Sequence, residues 1–498
     1  MESLSETSWD VVICGTGLQQ ALLALALSRS NKKILHIDPN EYYGGPDAAL
    51  TLQEVSRWVD DHASSSDKDG IFKSASITKA LESESLPSRA YSLSLSPQII
   101  HARSALLSQL VSSRAYRQLE FLAVGSFFVY EPATEDGAKP SLTRIPSTRE
   151  AVFSSSAIKP KAKRALMKFL KFVLDYEGEP QSELWKARAD EPLESFLESE
   201  FKLDPALRAY VVTLTLSQSG KISVKDGLSI IHRHLNSMGV YGPGFAALYP
   251  KWGGTSEIAQ VACRAGAVGG GVYMLGMGIK ALRQVPAEEN DGATLEIELD
   301  NDITVKARSL VRGCGEIPAA ETTVSRLVTI IGSPLRSLFE AVVEGSPTPT
   351  VAAIAFPKGS LDGASDHPIY VMAHSSDTGE CPSGQSILHL TTLSSPNSQQ
   401  ILSNALSAVI IALSTEGEES PKRLYQFSYE QSQSSPDLSI DGTIITLPSP
   451  RLDLAFDDAS LDPIRETWDA VNRILGEGDP GDYMMFEDRE GVDEDDEL

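Results

Sequence analysis

The sequence predicts an α/β fold that begins with a dinucleotide-binding βαβ unit and contains an inserted, all-helical smaller domain. The first observation is the apolar run Trp9–Cys14, which ends in the glycine turn Gly15–Gly17. The second is a helical segment of small apolar residues over 21–28, followed by another apolar run that ends at Asp38. The third is a series of amphipathic helical patterns within 147–238. A strand, a glycine turn, a helix and a second strand in this order are typical of a Rossmann-type unit.

The glycine turn retains only part of the cofactor-binding motif. In such a unit the first glycine makes the tight turn, the second lets the backbone approach a pyrophosphate, and the third lets helix and strand pack closely. Gly15 and Gly17 fit the first two roles, but the third position is Gln20, whose side chain is long and polar. Asp38 lies about 20 residues further on, where a carboxylate usually holds a ribose hydroxyl. We therefore interpret these four residues as a vestigial dinucleotide motif.

Length and charge restrict the classes of function. A chain of 498 residues is too long for one ordinary core, so we expect two closely joined domains. The 43 basic and 68 acidic residues give a formal net charge of −25, which argues against nucleic acid as a partner. The scattered cysteines (Cys14, Cys263, Cys314 and Cys381) lack metal-ligand spacing and indicate a reducing compartment. With neither a signal-peptide pattern nor an apolar run of membrane-spanning length, we expect a cytoplasmic protein.

Changes in residue pattern predict the domain boundaries. Residues 1–146 form the first part of a large domain, 147–238 the inserted helical domain and 239–475 the second part of the large domain. The like-charge run near the C-terminus predicts a disordered, acidic tail over 476–498.

Hydrophobic periodicity predicts the individual elements. In the first half we expect strands at 89–96 and 125–130 and helices at 97–117, 162–176, 192–201, 205–216 and 224–238. In the second half we expect strands at 272–275, 293–299, 350–356, 369–373 and 386–393 and helices at 398–413 and 462–475.

A second informative stretch predicts a recognition surface. Thr255 or Ser256 caps a helix whose apolar stripe faces the core, and Glu257 and Arg264, two turns apart, share a face that reaches solvent. The strand at 272–275 is expected to bring Met274 near that face. Together with Tyr42 and Tyr43, in the loop after the second strand, these side chains would form a surface that recognises a partner. This surface contains no nucleophile, base or metal ligands. The alternative is a solvated ion pair beside a core methionine, and spacing alone favours it.

The sequence resembles the Rab GDP-dissociation inhibitor and Rab escort protein superfamily up to about residue 475. The resemblance rests on a specific combination of motifs, listed here: Asp10–Leu18, Leu35–Asp38, Tyr42–Gly45, Gly125–Tyr130, Ile145–Thr148, Glu257 with Arg264, and Gly269–Leu275. It implies a large domain with a flavoprotein-like, FAD/NAD-binding type of fold that works without a cofactor, and a smaller helical domain. It also implies a protein that binds Rab GTPases, preferably GDP-bound, and shields their prenyl groups.

The resemblance also assigns roles to residues. The Rab-binding platform of the family maps onto Tyr43, Glu257, Arg264 and Met274, with Arg89 as a further member. The helical insert would carry the groove for the prenyl lipid. No residue receives a catalytic role, and no metal ligand or cofactor is expected.

Within the superfamily, the sequence is more similar to fungal escort proteins than to the inhibitors. Escort proteins present Rab to the Rab geranylgeranyltransferase heterodimer and then deliver it to membranes in vesicle transport, with transient membrane contact. The inhibitors instead recycle prenylated Rab. Residues 232–239 and 249–254 diverge from the inhibitor pattern. The position nearest to the aromatic residue by which escort proteins bind the transferase is His234.

Two other classes of function compete with this interpretation. An FAD-dependent oxidoreductase of the amine-oxidase type is supported by the opening βαβ unit and by Asp38. Gln20 and the lack of a recognisable substrate-site pattern among the eight histidines and the cysteines argue against it. A purely structural scaffold would leave the surface group around Arg264 unexplained.

Overall fold

A computed structural model gives the fold of most of the chain. It describes residues 4–63, 70–79, 86–133, 139–146, 159–286, 292, 294–314, 322–341, 344–361, 365–414, 420–433, 437–476 and 481–487.

The helices of these residues are α1 (Leu18–Leu27), α2 (Leu52–His62), α3 (Ala105–Ser112), α4 (Pro160–Leu174), α5 (Gln181–Lys186), α6 (Leu193–Phe201), α7 (Pro205–Leu214), α8 (Val224–Ser237), α9 (Thr255–Val268), α10 (Ser398–Leu413) and α11 (Asp462–Leu475). Short 3₁₀ helices span Gly45–Asp47, Ser88–Ala90, Ala115–Gln118, Arg336–Leu338, Ser376–Thr378 and Asp458–Leu461.

The strands of the first half are β1 (Ser8–Cys14), β2 (Ile34–Asp38), β3 (Ala49–Leu50), β4 (Phe72–Lys79), β5 (Leu93–Ser94), β6 (Ile100–His101), β7 (Phe121–Glu131), β8 (Ser141–Arg144) and β9 (Ala247–Pro250). Those of the second half are β10 (Val272–Leu275), β11 (Ile279–Gln284), β12 (Leu295–Leu299), β13 (Thr304–Arg312), β14 (Thr322–Ile331), β15 (Val351–Phe356), β16 (Ile369–Ser375), β17 (Ser386–Leu393), β18 (Arg423–Gln433), β19 (Ser439–Asp441) and β20 (Ile444–Thr446).

One sheet carries the nucleotide-type unit. Its strand order is β10-β2-β1-β13-β12-β11, and β20 pairs with β13. The strands β10, β2, β1, β13 and β20 run parallel to one another, whereas β12 and β11 form an antiparallel extension. Helices α1, α9 and α11 bury their apolar faces together on this sheet. The predicted βαβ unit is confirmed, and so is its mixed α/β setting.

A second sheet forms the other layer. Its order is β4-β18-β14-β17-β16-β15-β7-β9-β6, with β8 paired to β7. Helix α10 packs on one face. The helices between Pro160 and Ser237 pack on the other face, against β7, β9, β15 and β16. These helices form one apolar cluster, as a helical insert requires, although 147–158 lie outside the described residues. The exact domain division remains a prediction.

Two predicted elements differ from the structure. The segment expected as one strand at 89–96 is a 3₁₀ helix followed by the two-residue strand β5, and the helix expected over 97–117 is shortened to α3, with β6 before it. Ser104 explains the later start, because its hydroxyl accepts a hydrogen bond from the Leu106 amide and caps α3. Of the predicted acidic tail, the structure describes only Gly476 and residues 481–487. There Met484 is buried, and the Tyr483 ring contacts Trp468 of α11.

No helix among the described residues is long and apolar enough to cross a membrane.

Candidate functional site

The glycine turn joins β1 to α1 as the sequence predicts. Gly15 has φ +99°, a conformation that a residue with a side chain rarely adopts, and its amide donates to the Ile37 carbonyl at 2.8 Å. Gly17 stands immediately before the first residue of α1. The backbone geometry of a dinucleotide-binding turn is therefore present.

The side chain of Gln20 folds back over this turn. A Cβ atom placed on Gly15 would lie 3.2 Å from Gln20 Nε2, and one placed on Gly17 would lie 3.0 Å from Gln20 Oε1. A Cβ on Gly313, just beyond β13, would lie 2.7 Å from the same Nε2. The amide thus fills the space that the glycines leave open, which is where a pyrophosphate approaches the backbone in a working site.

Asp38, the expected ribose carboxylate, is buried and binds groups of this chain. Its Oδ2 accepts from the Thr16 amide and the Thr16 hydroxyl, both at 2.6 Å, and its Oδ1 accepts from the Asn40 amide at 2.7 Å and side-chain Nδ2 at 2.9 Å. Burial raises the pKa of Asp38, and these hydrogen bonds oppose the rise. The Thr16 hydroxyl also accepts from the Gly44 amide at 3.0 Å, so Asp38 is linked to the tyrosine loop.

A second carboxylate, that of Asp47, occupies the N-terminus of α1. Asp47 Oδ2 accepts from the Leu18 amide at 3.1 Å. Burial raises the pKa of Asp47 to about 6, and the hydrogen bond from Leu18 opposes this shift. The free amides and the dipole of a helix N-terminus attract anions, and in dinucleotide sites that anion is the pyrophosphate. Sequence reasoning missed this role, although an acidic residue two positions after the Gly44-Gly45 pair was a visible signal.

These residues do not fit a flavin dinucleotide. A cavity of about 560 Å³ remains beside the turn, lined by Gln20, Asp38, Arg312 and neighbouring residues. However, the Asp47 carboxylate lies at the N-terminus of α1, and the Gln20 amide fills the space over the glycines. Each oxygen of Asp38 also already accepts two hydrogen bonds. The motif now fixes the loop Tyr42–Asp47 against α1.

The structure brings three of the predicted recognition residues together. Arg264 is exposed on α9, and its Nη1 donates to Gln118 Oε1 at 3.4 Å. Glu257 lies two turns before Arg264 on α9. Burial raises the pKa of Glu257, and the Arg264 guanidinium opposes that shift. Burial likewise raises the pKa of Tyr43, and the charge of Arg264 opposes this rise as well. Tyr43, Glu257 and Arg264 therefore form one partly exposed group, which we call the α9 face.

The other two predicted residues lie elsewhere. Arg89 is exposed in the 3₁₀ helix Ser88–Ala90, beside the start of α2. Met274 is on β10, but it packs with Trp9 and Ile37 on one side of the sheet, whereas Tyr273 packs on the side of α9. The expectation that β10 brings Met274 to the α9 face was wrong, because consecutive side chains of a strand point to opposite faces.

His234 is not a surface residue. It is buried on α8, where its ring lies 5.6 Å from the rings of both His101 and Phe127. Burial lowers its pKa to about 4, so the imidazole is neutral. In this position it contributes to the packing between the helices and the second sheet.

An apolar cavity of about 620 Å³ lies between that group of helices and the sheet. Its lining comes from α4, α7 and α8 and from β7 and β9, and its side chains are mostly aliphatic or aromatic: Leu166, Phe169, Leu170, Val211, Leu214, Ile231, Leu235, Phe127 and Phe245. An opening of this size and character accommodates a long hydrocarbon.

Comparisons with known proteins agree with this geometry. A family model described as GDI, GDP dissociation inhibitor, matches residues 5–409. Rab proteins geranylgeranyltransferase component A of Saccharomyces cerevisiae is 31% identical over 428 residues, which cover 84% of this chain and 68% of the relative. The protein of the same name from Candida albicans is 33% identical over 398 residues, which cover 77% of this chain and 59% of the relative. A Rab GDP-dissociation inhibitor from Pyricularia oryzae is 25% identical over 408 residues, with coverages of 79% and 81%.

Solved structures show the same fold. A Rab GDI from Plasmodium falciparum superposes with a TM-score of 0.67 at 18% identity, covering 94% of this chain and 98% of the other. An oxidoreductase from Methanosarcina mazei gives a TM-score of 0.58 at 11% identity, with coverages of 92% and 99%. The predicted flavoprotein-like α/β fold is thereby confirmed. Since the family model spans residues 5–409, the chain belongs to the GDP dissociation inhibitor family.

Proposed function

We propose that the protein acts as a Rab escort protein. It binds Rab GTPases, with GDP-bound Rab preferred, and presents them to Rab geranylgeranyltransferase as a non-catalytic component. It then shields the prenyl groups and delivers Rab to membranes. The observation that carries the proposal is the α9 face, where Arg264 lies near enough to Tyr43 and Glu257 for its charge to act on both.

The α9 face has the composition of a protein-binding site. Tyrosine and arginine supply most of the binding energy at many interfaces, and a pair of opposite charges fixes the orientation of a partner. The loop that carries Tyr43 is fixed by two hydrogen bonds, from the Gly44 amide to the Thr16 hydroxyl and from the Leu18 amide to Asp47. The loop therefore has little conformational freedom to lose on binding. Arg89 and Met274 lie apart from the α9 face, and their part in Rab binding stays a prediction of the family resemblance.

The apolar cavity among α4, α7 and α8 is the proposed prenyl site. A geranylgeranyl chain in water exposes only hydrocarbon, and each buried methylene contributes roughly 0.8 kcal/mol. The cavity lies in the helical segment, away from the α9 face, so one Rab could contact the face with its folded domain and the cavity with its lipid. Binding at two sites of one ligand raises the overall affinity above that of either site.

Escort function is favoured over that of a recycling inhibitor by the relatives. The two relatives named component A are 31% and 33% identical to this chain, whereas the Pyricularia inhibitor is 25% identical over a similar length. This chain spans 59% to 68% of those two relatives. Purified transferase heterodimer and unprenylated Rab separate the alternatives, because an escort protein supports prenyl transfer and an inhibitor does not.

The variant Arg264→Ala tests the α9 face. We expect its affinity for GDP-loaded Rab to fall at least about tenfold, which corresponds to about 1.4 kcal/mol. Arg283→Ala is the matched control, since Arg283 is an exposed arginine on β11 whose ion pair with Glu296 is long, at 3.8 Å. Equal affinity of the two variants in a titration with fluorescent Rab would exclude the α9 face.

The variant Leu235→Trp tests the lipid cavity by filling it. We expect weaker binding of prenylated Rab with unchanged binding of unprenylated Rab. Leu184→Trp on α5 introduces the same side chain at an exposed position outside the cavity lining and should leave both affinities unchanged. A loss of affinity for both forms of Rab in Leu235→Trp, or for neither form, would place the lipid elsewhere.

A flavin oxidoreductase remains distinguishable by absorption. We expect the purified protein to be colourless, and a stoichiometric chromophore in the visible range would revive the enzyme interpretation.

A further inference from the structure

Three buried residues outside the α9 face form a compact group in the second sheet. His374 on β16 pairs with Ile387 of β17, and His389 of β17 pairs with Met372, so the two histidines are diagonal neighbours on one face. Their ring centroids lie 4.7 Å apart. Glu380, from the connection between the two strands, completes the group, in which one ligand atom from each residue lies within 4.8 Å of the others.

The group contains buried nitrogen atoms without partners. His374 Nδ1 lies 2.6 Å from Glu380 Oε2, but His374 Nε2 has no hydrogen-bond partner among the described residues. Both ring nitrogens of His389 also lack a hydrogen-bond partner among the residues that the structure describes. The exposed fractions of His374 and Glu380 are 0%, and that of His389 is 3%. Buried polar atoms are normally satisfied. Here three unpartnered nitrogens lie beside a buried carboxylate, and together these groups offer a set of ligands for a cation.

We propose that His374, Glu380 and His389 form a structural binding site for a divalent transition-metal ion of the zinc class. Two imidazoles and one carboxylate are ligands that this class of ion prefers over the oxygen-only sets of calcium and magnesium. These residues show no metal-ligand spacing along the chain because they meet through the register of two strands and the turn between them.

The surroundings support this assignment. The Tyr249 hydroxyl donates to Glu380 Oε1 at 2.7 Å and orients the carboxylate, as outer residues do in known metal sites.

One neighbouring charge opposes the ion. Arg326 of β14 is buried on the same face and donates to Gln431 Oε1 at 2.7 Å and Thr391 Oγ1 at 3.3 Å. Its charge would weaken the binding of a cation without removing the ligands. The variant Arg326→Gln should therefore bind the metal at least as tightly as the wild type does.

A bound ion would brace the base of the loop that leads into α9. Thr378 accepts at its carbonyl oxygen from the Trp252 amide at 2.9 Å, and the Glu380 carbonyl accepts from the Ser92 amide at 3.0 Å. Trp252 belongs to the loop between β9 and α9. By fixing the turn that carries Glu380, the ion would also stabilise the loop between β9 and α9 that this turn contacts. This effect does not depend on which partner the α9 face binds.

Metal analysis of the full-length protein tests the proposal. Because the group is buried, the ion enters as the chain folds, so the protein is produced in medium supplemented with zinc and then dialysed. We expect about one zinc ion per chain by elemental mass spectrometry. Protein produced with cobalt in place of zinc should show the visible absorption bands of a tetrahedral cobalt site.

Variants separate a metal site from packing. His389→Gln should lose the ion and the cobalt bands, and Tyr249→Phe should weaken metal affinity about 10- to 100-fold. His101→Gln is the matched control, since His101 is equally buried with both nitrogens unpartnered among the described residues but lies away from the group. Wild-type protein without stoichiometric metal, or with the same metal content as folded His389→Gln, would overturn the proposal. If His389→Gln does not fold, Glu380→Gln gives the same comparison.

Discussion

The hydroxyl of Thr16 links the Asp38 carboxylate to the loop that carries Tyr43 through two hydrogen bonds. It donates to Asp38 Oδ2 at 2.6 Å and accepts from the Gly44 amide at 3.0 Å. Thr16 is 1% exposed, so water cannot replace these contacts. The variant Thr16→Val keeps the shape of the side chain and removes both hydrogen bonds.

The size of the effect follows from these two contacts. A hydrogen bond to a charged group contributes about 1.5–3 kcal/mol, and a buried amide left without an acceptor costs about 1–3 kcal/mol. Because Asp38 still accepts from the Thr16 amide and from Asn40, the carboxylate stays partly satisfied. We therefore expect the free energy of unfolding to fall by about 3 kcal/mol.

Urea unfolding measures this difference, and Thr467→Val supplies the control. Thr467 on α11 is fully buried, and its hydroxyl has no hydrogen-bond partner among the described residues, so the same substitution should be nearly neutral or stabilising. Thr16→Val should also weaken Rab binding, since the loop of Tyr43 loses its tether. A loss of less than about 1 kcal/mol, or an equal loss in both variants, would refute the reasoning.

Two further variants test the buried carboxyl group of Asp47 and the close approach of Gly266 to Tyr273. Burial raises the pKa of Asp47 to about 6, so its protonated form is favoured in the folded state, and its contribution to stability is complete below about pH 4 and lost as the pH rises to about 6. Relative to Asp47→Asn, the wild type should lose up to about 3 kcal/mol of unfolding free energy between about pH 4 and pH 7, and a constant difference in urea titrations would contradict this. In Gly266→Ala the new Cβ would lie 2.2 Å from the Tyr273 hydroxyl, so we expect a loss of about 1–3 kcal/mol that the added substitution Tyr273→Phe partly restores. Thermal unfolding of the single and double variants checks this, and the absence of any restoration would show that the hydroxyl is not the obstacle.

Patterns within one element predicted much of the fold. Helices α10 and α11 begin and end where periodicity placed them, at 398–413 and 462–475. The βαβ unit was equally clear, because its strand, turn and helix are consecutive in the sequence. Such elements are determined by neighbouring residues, and these are what a single sequence displays.

Features that depend on distant pairing were missed. Strand β4 lies in a stretch rich in serine and lysine, a composition typical of a loop, but it pairs with β18 at the edge of the second sheet. An edge strand carries polar residues on its open side, so its composition resembles that of a loop. The contact of Asp47 with Leu18 and the group around His389 arise in the same way, from parts of the chain that only the folded topology brings together.

The carboxylate of Asp47 at the start of α1 has a consequence for the behaviour of the protein in a cell. A covalently attached group competes with free anions at a local concentration on the order of millimolar or higher. Free nucleotides and phosphate would have to exceed that value before they displaced it. We therefore expect the loop of Tyr43 to keep its shape as the levels of these metabolites change.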